Sequence, residues 1–208
     1  MKYLPMLFIL LFNCYAATVD VGDGVFAYKK GEYDKAMRIF KDLSKKENSA
    51  DAQYNIATMY FYAKGVKPDN TKAFEWFEKA AKNGEKRAEF MLGFMLENGL
   101  GTEKNMKKSF MYYKKAADKD YAKALYSLGR FYENGIVVNQ DKKKAKELYE
   151  KAASRGSVAG AYKMAKLLEQ EGNYKKAIEW YKALQEVNYI PANEDLKKIC
   201  ANHKEYCK

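Results

Sequence analysis

The chain is poor in the residues that catalysis usually recruits. It has one histidine, His203, among 208 residues, which excludes a multi-histidine zinc centre. No two cysteine or histidine residues have zinc-ligand spacing in a setting that resembles a metal site, and neither Gly-x-Gly-x-x-Gly nor Gly-x4-Gly-Lys-Ser/Thr occurs to cradle a phosphate. Ser44, Ser109 and Ser127 are followed three places on by Glu47, Tyr112 and Arg130, so none opens the Ser-x-x-Lys of a serine β-lactamase. Valine and isoleucine are sparse and no stretch alternates with period 2 for long, which argues against a sheet. With only three prolines to interrupt it, the chain can form long helices. The class expected is all-α, without catalytic residues, metal or cofactor.

The start of the chain has its own character. In "MKYLPMLFILLFNCYA" one basic residue, Lys2, precedes an apolar stretch from Tyr3 to Phe12 and smaller residues ending at Ala16. Such a stretch is too short for a bilayer, which needs about 20 apolar residues. It fits a secretory signal peptide over residues 1–16, cleaved after Cys14-Tyr15-Ala16; lipidation of Cys14 is the minor alternative. The expectation is a periplasmic or secreted protein. Its two remaining cysteines, Cys200 and Cys207, would then suit a disulfide. One straight helix would hold their Cα atoms ~10.5 Å apart, whereas a disulfide tolerates about 7 Å. The bridge therefore requires a helix break, with Asn202-His203 the natural place.

The formal net charge is +11, and most of the excess lies in residues 85–156. The lysines are spread through helical stretches rather than gathered in one run, which reads as solvated helix faces. Nucleic acid is not expected as a partner of an exported chain. An anionic membrane surface, met by Lys107-Lys108 and Lys142–Lys144, is a secondary option.

What the chain has in abundance is repetition. "KAFEWFEKAAKNG" at Lys72–Gly84 returns as "KSFMYYKKAADKD" at Lys108–Asp120 and "KAKELYEKAASRG" at Lys144–Gly156, each 36 residues on. The shared columns fall at i, i+3, i+4, i+7 and i+8, one face of a helix. Asp69, Asn105 and Asp141 precede the three copies as N-caps. Upstream of each lies a first helix with columns Ala52/Ala88/Ala124, Tyr54/Phe90/Tyr126 and Ile56/Leu92/Leu128. Its column Ala57/Gly93/Gly129 puts glycine inside a helix at a cost of up to ~1 kcal/mol, which implies close approach of a neighbour. We call these helices A and B. One A–B pair cannot bury its apolar face alone, but stacked pairs can, and the result is a solenoid. Shorter copies flank the three full ones. The organisation expected is a short unit at 17–49, three full repeats at 50–156, a shorter unit at 157–192, and a capping helix and disulfide turn at 193–208.

The series Ala124…Leu128-Gly129…Tyr132…Gly135…Asp141…Lys144-Ala145…Tyr149…Ala152-Ala153…Gly156 resembles the Sel-1-like repeat, a relative of the tetratricopeptide repeat. The resemblance spans roughly Asp20 to Asn188 and is most specific in the three central units, the outer two looking more like tetratricopeptide units. It implies a right-handed superhelical solenoid of antiparallel helix pairs, about five units, that acts by binding other proteins. Some relatives are exported and cysteine-rich, with a disulfide at the end of each unit, and Lys197–Cys207 looks like one such staple. Among small exported relatives are immunity proteins against effectors delivered to the periplasm. Others have been described as penicillin- or peptidoglycan-binding with weak β-lactamase activity, which is the alternative reading.

Four helix-A columns change freely between units: Asp51/Arg87/Lys123/Ala159, Asn55/Met91/Ser127/Lys163, Thr58/Phe94/Arg130/Lys166 and Tyr62/Asn98/Asn134/Gln170. They share one helical face, which in related solenoids lines the inner groove. The candidate partner-binding residues are Arg87, Met91, Phe94 and Asn98 of the second unit and Lys123, Ser127, Arg130 and Asn134 of the third. Met91 and Phe94, expected at the surface among Arg87, Lys123 and Arg130, suit a protein partner with an apolar anchor and an acidic rim. Glu97, Glu133 and Glu169 form a further column, expected to be structural.

Overall fold

The computed structural model describes residues 19–207. The signal peptide expected at 1–16 lies outside the described residues. Eleven α-helices follow one another and no strand intervenes among the described residues: α1 (Val21–Lys29), α2 (Tyr33–Glu47), α3 (Ala50–Phe61), α4 (Asn70–Lys82), α5 (Lys86–Asn98), α6 (Met106–Asp118), α7 (Ala122–Asn134), α8 (Lys142–Ser154), α9 (Val158–Gln170), α10 (Tyr174–Glu186) and α11 (Ile190–Asn202). Each helix packs on the next in sequence, the contact pattern of stacked hairpins. Odd-numbered helices up to α9 are A helices and even-numbered ones B helices, giving five pairs with α11 over the last.

The B helices begin where the sequence places their caps. The side chains of Asp69, Asn105 and Asp141 accept hydrogen bonds from the backbone N–H of Lys72, Lys108 and Lys144 at 2.9, 3.0 and 2.8 Å. Each cap satisfies one donor that the first turn would otherwise leave unpaired. From there the periodic face turns inward: Ala73, Phe77 and Ala80 of α4, Ser109, Tyr113 and Ala116 of α6, and Ala145, Tyr149 and Ala152 of α8 are buried. Phe40, Phe77, Tyr113, Tyr149 and Tyr181 form one fully buried aromatic column through all five units. Trp76, in the neighbouring column, is only half-buried and lies where the clusters of the first two units meet.

The glycine column is explained by this aromatic column. A Cβ on Gly93 would lie 2.7 Å from the Tyr113 ring, and one on Gly129 2.6 Å from the Tyr149 ring. The close neighbour is thus a side chain of the B helix in the same unit. Above the ring, Tyr113 Oη donates to Glu97 at 2.7 Å, Tyr149 Oη to Glu133 at 2.6 Å and Tyr181 Oη to Glu169 at 2.7 Å. The unit that carries Phe77 carries Phe61 in place of the glutamate. Hydroxyl and carboxylate are present together and missing together.

α11 starts at Ile190, earlier than the cap expected from 193. Pro191 sits in its first turn, where a missing N–H leaves no helical bond unmade, so the proline opens the helix instead of delaying it. The helix ends at Asn202, a short 3-10 turn follows at Lys204–Tyr206, and the Cα atoms of Cys200 and Cys207 come within 5.7 Å with their sulfurs in bonding contact. His203 stacks on Tyr174 with ring centroids 3.6 Å apart. No helix among the described residues is long and apolar enough to cross a membrane.

Candidate functional site: the helix-A face

Successive A helices are joined along one shared face. Arg87 of α5 pairs with Asp51 of α3, Arg130 of α7 with Glu97 of α5 at 3.1 Å, and Lys163 of α9 with Glu133 of α7 at 3.1 Å. This cross-bracing corrects the expectation that Arg87 and Arg130 stand ready for a partner. Both are already committed within the chain. Arg87 also holds Glu85 at 2.7 Å and covers the Tyr54 ring at 4.2 Å. Hydrogen bonding to Glu85 raises the Arg87 guanidinium above its ordinary value. For Arg130 burial works the other way, but the pairing with Glu97 outweighs it.

Two further residues of the expected stripe are not at the surface. Met91 is 9% exposed and packs with Ala57, Phe77 and Leu92, and Ser127 is 5% exposed. A column that varies between units is not on that account solvated. These two lie deeper on the helix, where the stacked neighbour covers them, and a methionine adapts to such an irregular gap. Phe94 is half-buried: its ring meets Phe61 of the preceding unit at 6.4 Å, edge to face. Lys123, Asn98 and Asn134 are exposed. Each asparagine turns its amide back onto its own helix, Asn98 to the Phe94 carbonyl at 2.8 Å and Asn134 to the Arg130 carbonyl at 2.9 Å.

The face therefore divides in two along its length. Toward the N-terminal units it is aromatic: Phe61 packs on Tyr62 with centroids 4.9 Å apart, Phe94 joins them, and Tyr62 is 57% exposed. Toward the C-terminal units it is a ladder of tyrosine–carboxylate–base contacts, ending where Tyr162 donates to Asp195 at 2.7 Å and Lys166 pairs with Glu169 at 3.0 Å. The glutamate column is structural, as its spacing suggested, each carboxylate accepting from a tyrosine and pairing with a base. Phe61 was not singled out in the sequence, and Tyr62, though in one of the four varying columns, was not among the candidate partner-binding residues. Their signal was available: Tyr62 is the lone aromatic in a column of amides, and Phe61 interrupts a column of glutamates.

Among the described residues no three histidine, cysteine, aspartate or glutamate side chains come together to hold a metal. Ser109 donates its hydroxyl to the Gly93 carbonyl at 2.8 Å in the core, and buried Ser127 is equally out of reach of a substrate.

A stack of helix hairpins with a shared, cross-braced face defines the class: an α-solenoid repeat scaffold. The Sel1 repeat family model matches residues 50–85, 86–121, 122–157 and 158–183, and the chain belongs to that family. The last match takes in the fifth helix pair, α9–α10, which looks closer to a tetratricopeptide unit by sequence. A Sel1 repeat protein from Oxalobacter formigenes superposes with a TM-score of 0.76 at 29% identity, over 87% of this chain and 75% of that one. The immunity protein Pa5087 from Pseudomonas aeruginosa superposes with a TM-score of 0.55 at 21% identity, over 77% and 64%, a likeness of fold. Among curated proteins, the ERAD-associated E3 ubiquitin-protein ligase component HRD3A of Arabidopsis thaliana is 35% identical over 77 residues, 36% of this chain but 11% of its own length.

Proposed function

We propose that the protein is an exported, non-catalytic interaction module that binds a protein partner on the inner, helix-A side of its solenoid. The observation that carries this reading is the aromatic half of that face. Tyr62 stands 57% exposed on a base of Phe61 and Phe94 at the C-terminal end of α3, whose first turn carries Asp51, the partner of Arg87. An exposed aromatic side chain on an apolar base is a common composition of binding hot spots. The arginine is already neutralised, so the partner chemistry shifts from an acidic rim toward an apolar anchor that covers Tyr62. The curated relative's name, a component of a ligase, fits a role within a protein assembly. The immunity form of the reading makes the partner a toxic effector met in the periplasm.

Export rests on the apolar stretch Tyr3–Phe12 and Ala16. The Cys200–Cys207 bridge would form in the oxidising compartment and fasten α11. Nothing in the site's geometry favours the penicillin-binding alternative. The test is affinity capture from the cell envelope with chain 17–208 as bait, wild type against Tyr62→Lys. A protein retained by the wild type and lost with the variant is expected; an identical catch from both baits would remove the site from this face. N-terminal sequencing of the native protein should begin at Ala17, and a start at Met1 would contradict export.

A further inference from the structure

The first unit lacks the neighbour that every later unit has. The glycine column sets the register: a Cβ on Gly24 would lie 2.4 Å from the Phe40 ring, as one on Gly93 would lie 2.7 Å from the Tyr113 ring. Phe26, two residues on, therefore stands where Met59, Met95 and Phe131 stand in the next three units. Those three are fully buried, because the B helix of the preceding unit lies over them. Phe110 of α6, for instance, meets Phe131 with ring centroids 5.8 Å apart. No B helix precedes α1 among the described residues, and Phe26 is 59% exposed. Only the Lys30 ammonium, on an exposed and flexible side chain, reaches over its ring at 4.4 Å.

The bare face continues into a groove of about 960 Å³ between α1 and α2, with Val19, Phe26, Ile39 and Leu43 as its apolar part. A terminal solenoid unit ordinarily turns a polar side outward. The chain does so at its other end, where α11 lies over the last pair with Glu194, Lys197 and Lys198 exposed. Around the groove stand three acids, Asp23, Asp42 and Glu47, and three bases, Lys35, Arg38 and Lys46. The face is thus balanced in a chain whose net charge is +11. Arg38, Asp42 and Lys46 alternate in sign at i, i+4 and i+8 along α2. Neither they nor Glu47 form an ion pair among the described residues, whereas Lys35 pairs with Glu32 at 3.2 Å.

We propose that this face binds a second copy of the chain, first unit against first unit, in a two-fold symmetric dimer. An apolar centre ringed by equal numbers of acids and bases is complementary to itself: across a two-fold axis the acids of each copy meet the bases of the other. A partner charged with one sign would be repelled by half of the ring. Head-to-tail stacking is closed off, because the far end carries α11 instead of a bare unit. The face spans two helices, the longer of 15 residues, or ~22 Å. That is small beside the ~800 Å² per partner of a standard interface, so a dissociation constant in the micromolar range is expected.

The experiment is sedimentation velocity of the native protein at about 1 and about 100 micromolar. The dilute protein should run mainly as a monomer and the concentrated protein mainly as a dimer. Phe26→Lys should weaken the dimer at least tenfold and leave the melting temperature of the dilute protein unchanged. If that variant melts early, Arg38→Glu on the exposed side of α2 decides: a dimer at least tenfold weaker supports the face, and an unchanged one overturns it. A monomer at both concentrations, or a dimer that a folded Phe26→Lys leaves intact, overturns the proposal. So does a dimer formed by chain 17–208 but not by the native protein, which would give the groove to the residues before 17.

Discussion

Tyr113 shows how one side chain sets the character of a repeat. Its ring requires the glycine at position 93, and its hydroxyl requires the carboxylate of Glu97. Burial, and then the bond to Glu97, raises its ionisation above the ordinary tyrosine range; Tyr149 and Tyr181 are raised in the same way, and Tyr162 is pushed up to about 12 by burial and Asp195. The sign follows from linkage. A tyrosine whose folded-state value lies above its unfolded value of about 10 lends its full stability below pH 10 and loses it as pH rises further. Stability should therefore be level from neutral pH up to about pH 10 and fall steeply above it, with tyrosinate absorbance appearing together with unfolding. Absorbance that rises before unfolding would refute the buried, bonded state. Tyr113→Phe should cost about 1.5–3 kcal/mol, the range for a hydrogen bond to a charged group. The same change in a Glu97→Leu background should cost little, and chemical denaturation of the four proteins gives the coupling directly. Equal costs in both backgrounds would mean that the bond adds nothing.

At the scale of single helices the sequence was largely readable. N-caps, apolar columns and the helix break before Cys207 all act locally, and local signals survive in one sequence. α8 is an instructive case. It opens with Lys142, Lys143 and Lys144, three positive charges at the positive end of a helix dipole, behind a single acidic cap. Asp141→Ala should cost about 1 kcal/mol and lower the melting temperature by several degrees. Asn139→Ala, in the exposed loop just before it, should leave stability unchanged, and calorimetry on both separates the cap from the loop. What could not be read was depth. Met91, Phe94 and Arg130 share a varying face with Asn98, but how far each is covered depends on how the next unit lies across it. No single helix encodes that angle. Nor could the partners of Arg87 and Arg130 be read, because a 36-residue repeat does not reveal that Arg87 touches Asp51 in its own column while Arg130 reaches Glu97 in another.

The whole molecule is a scaffold whose helix-A face changes chemistry from one end to the other. Three units lock that face with tyrosine, glutamate and a base, while the units before them leave it aromatic. At the locked end each glutamate serves two neighbours, a tyrosine and a base. The aromatic end has an exposed ring, Tyr62, and the proposed binding is placed there. The fold as a whole was legible because repetition writes the same instruction several times. The proposed site was less so, because it is placed where the repetition fails, at Phe61 and Tyr62. The most direct measurement places a photo-crosslinking amino acid at position 62 and, separately, at position 150, which is exposed on α8. Irradiation of living cells should give a discrete protein adduct from position 62 and none from position 150. An adduct from position 150 alone, or from neither position, would contradict the assignment of the partner to the helix-A face.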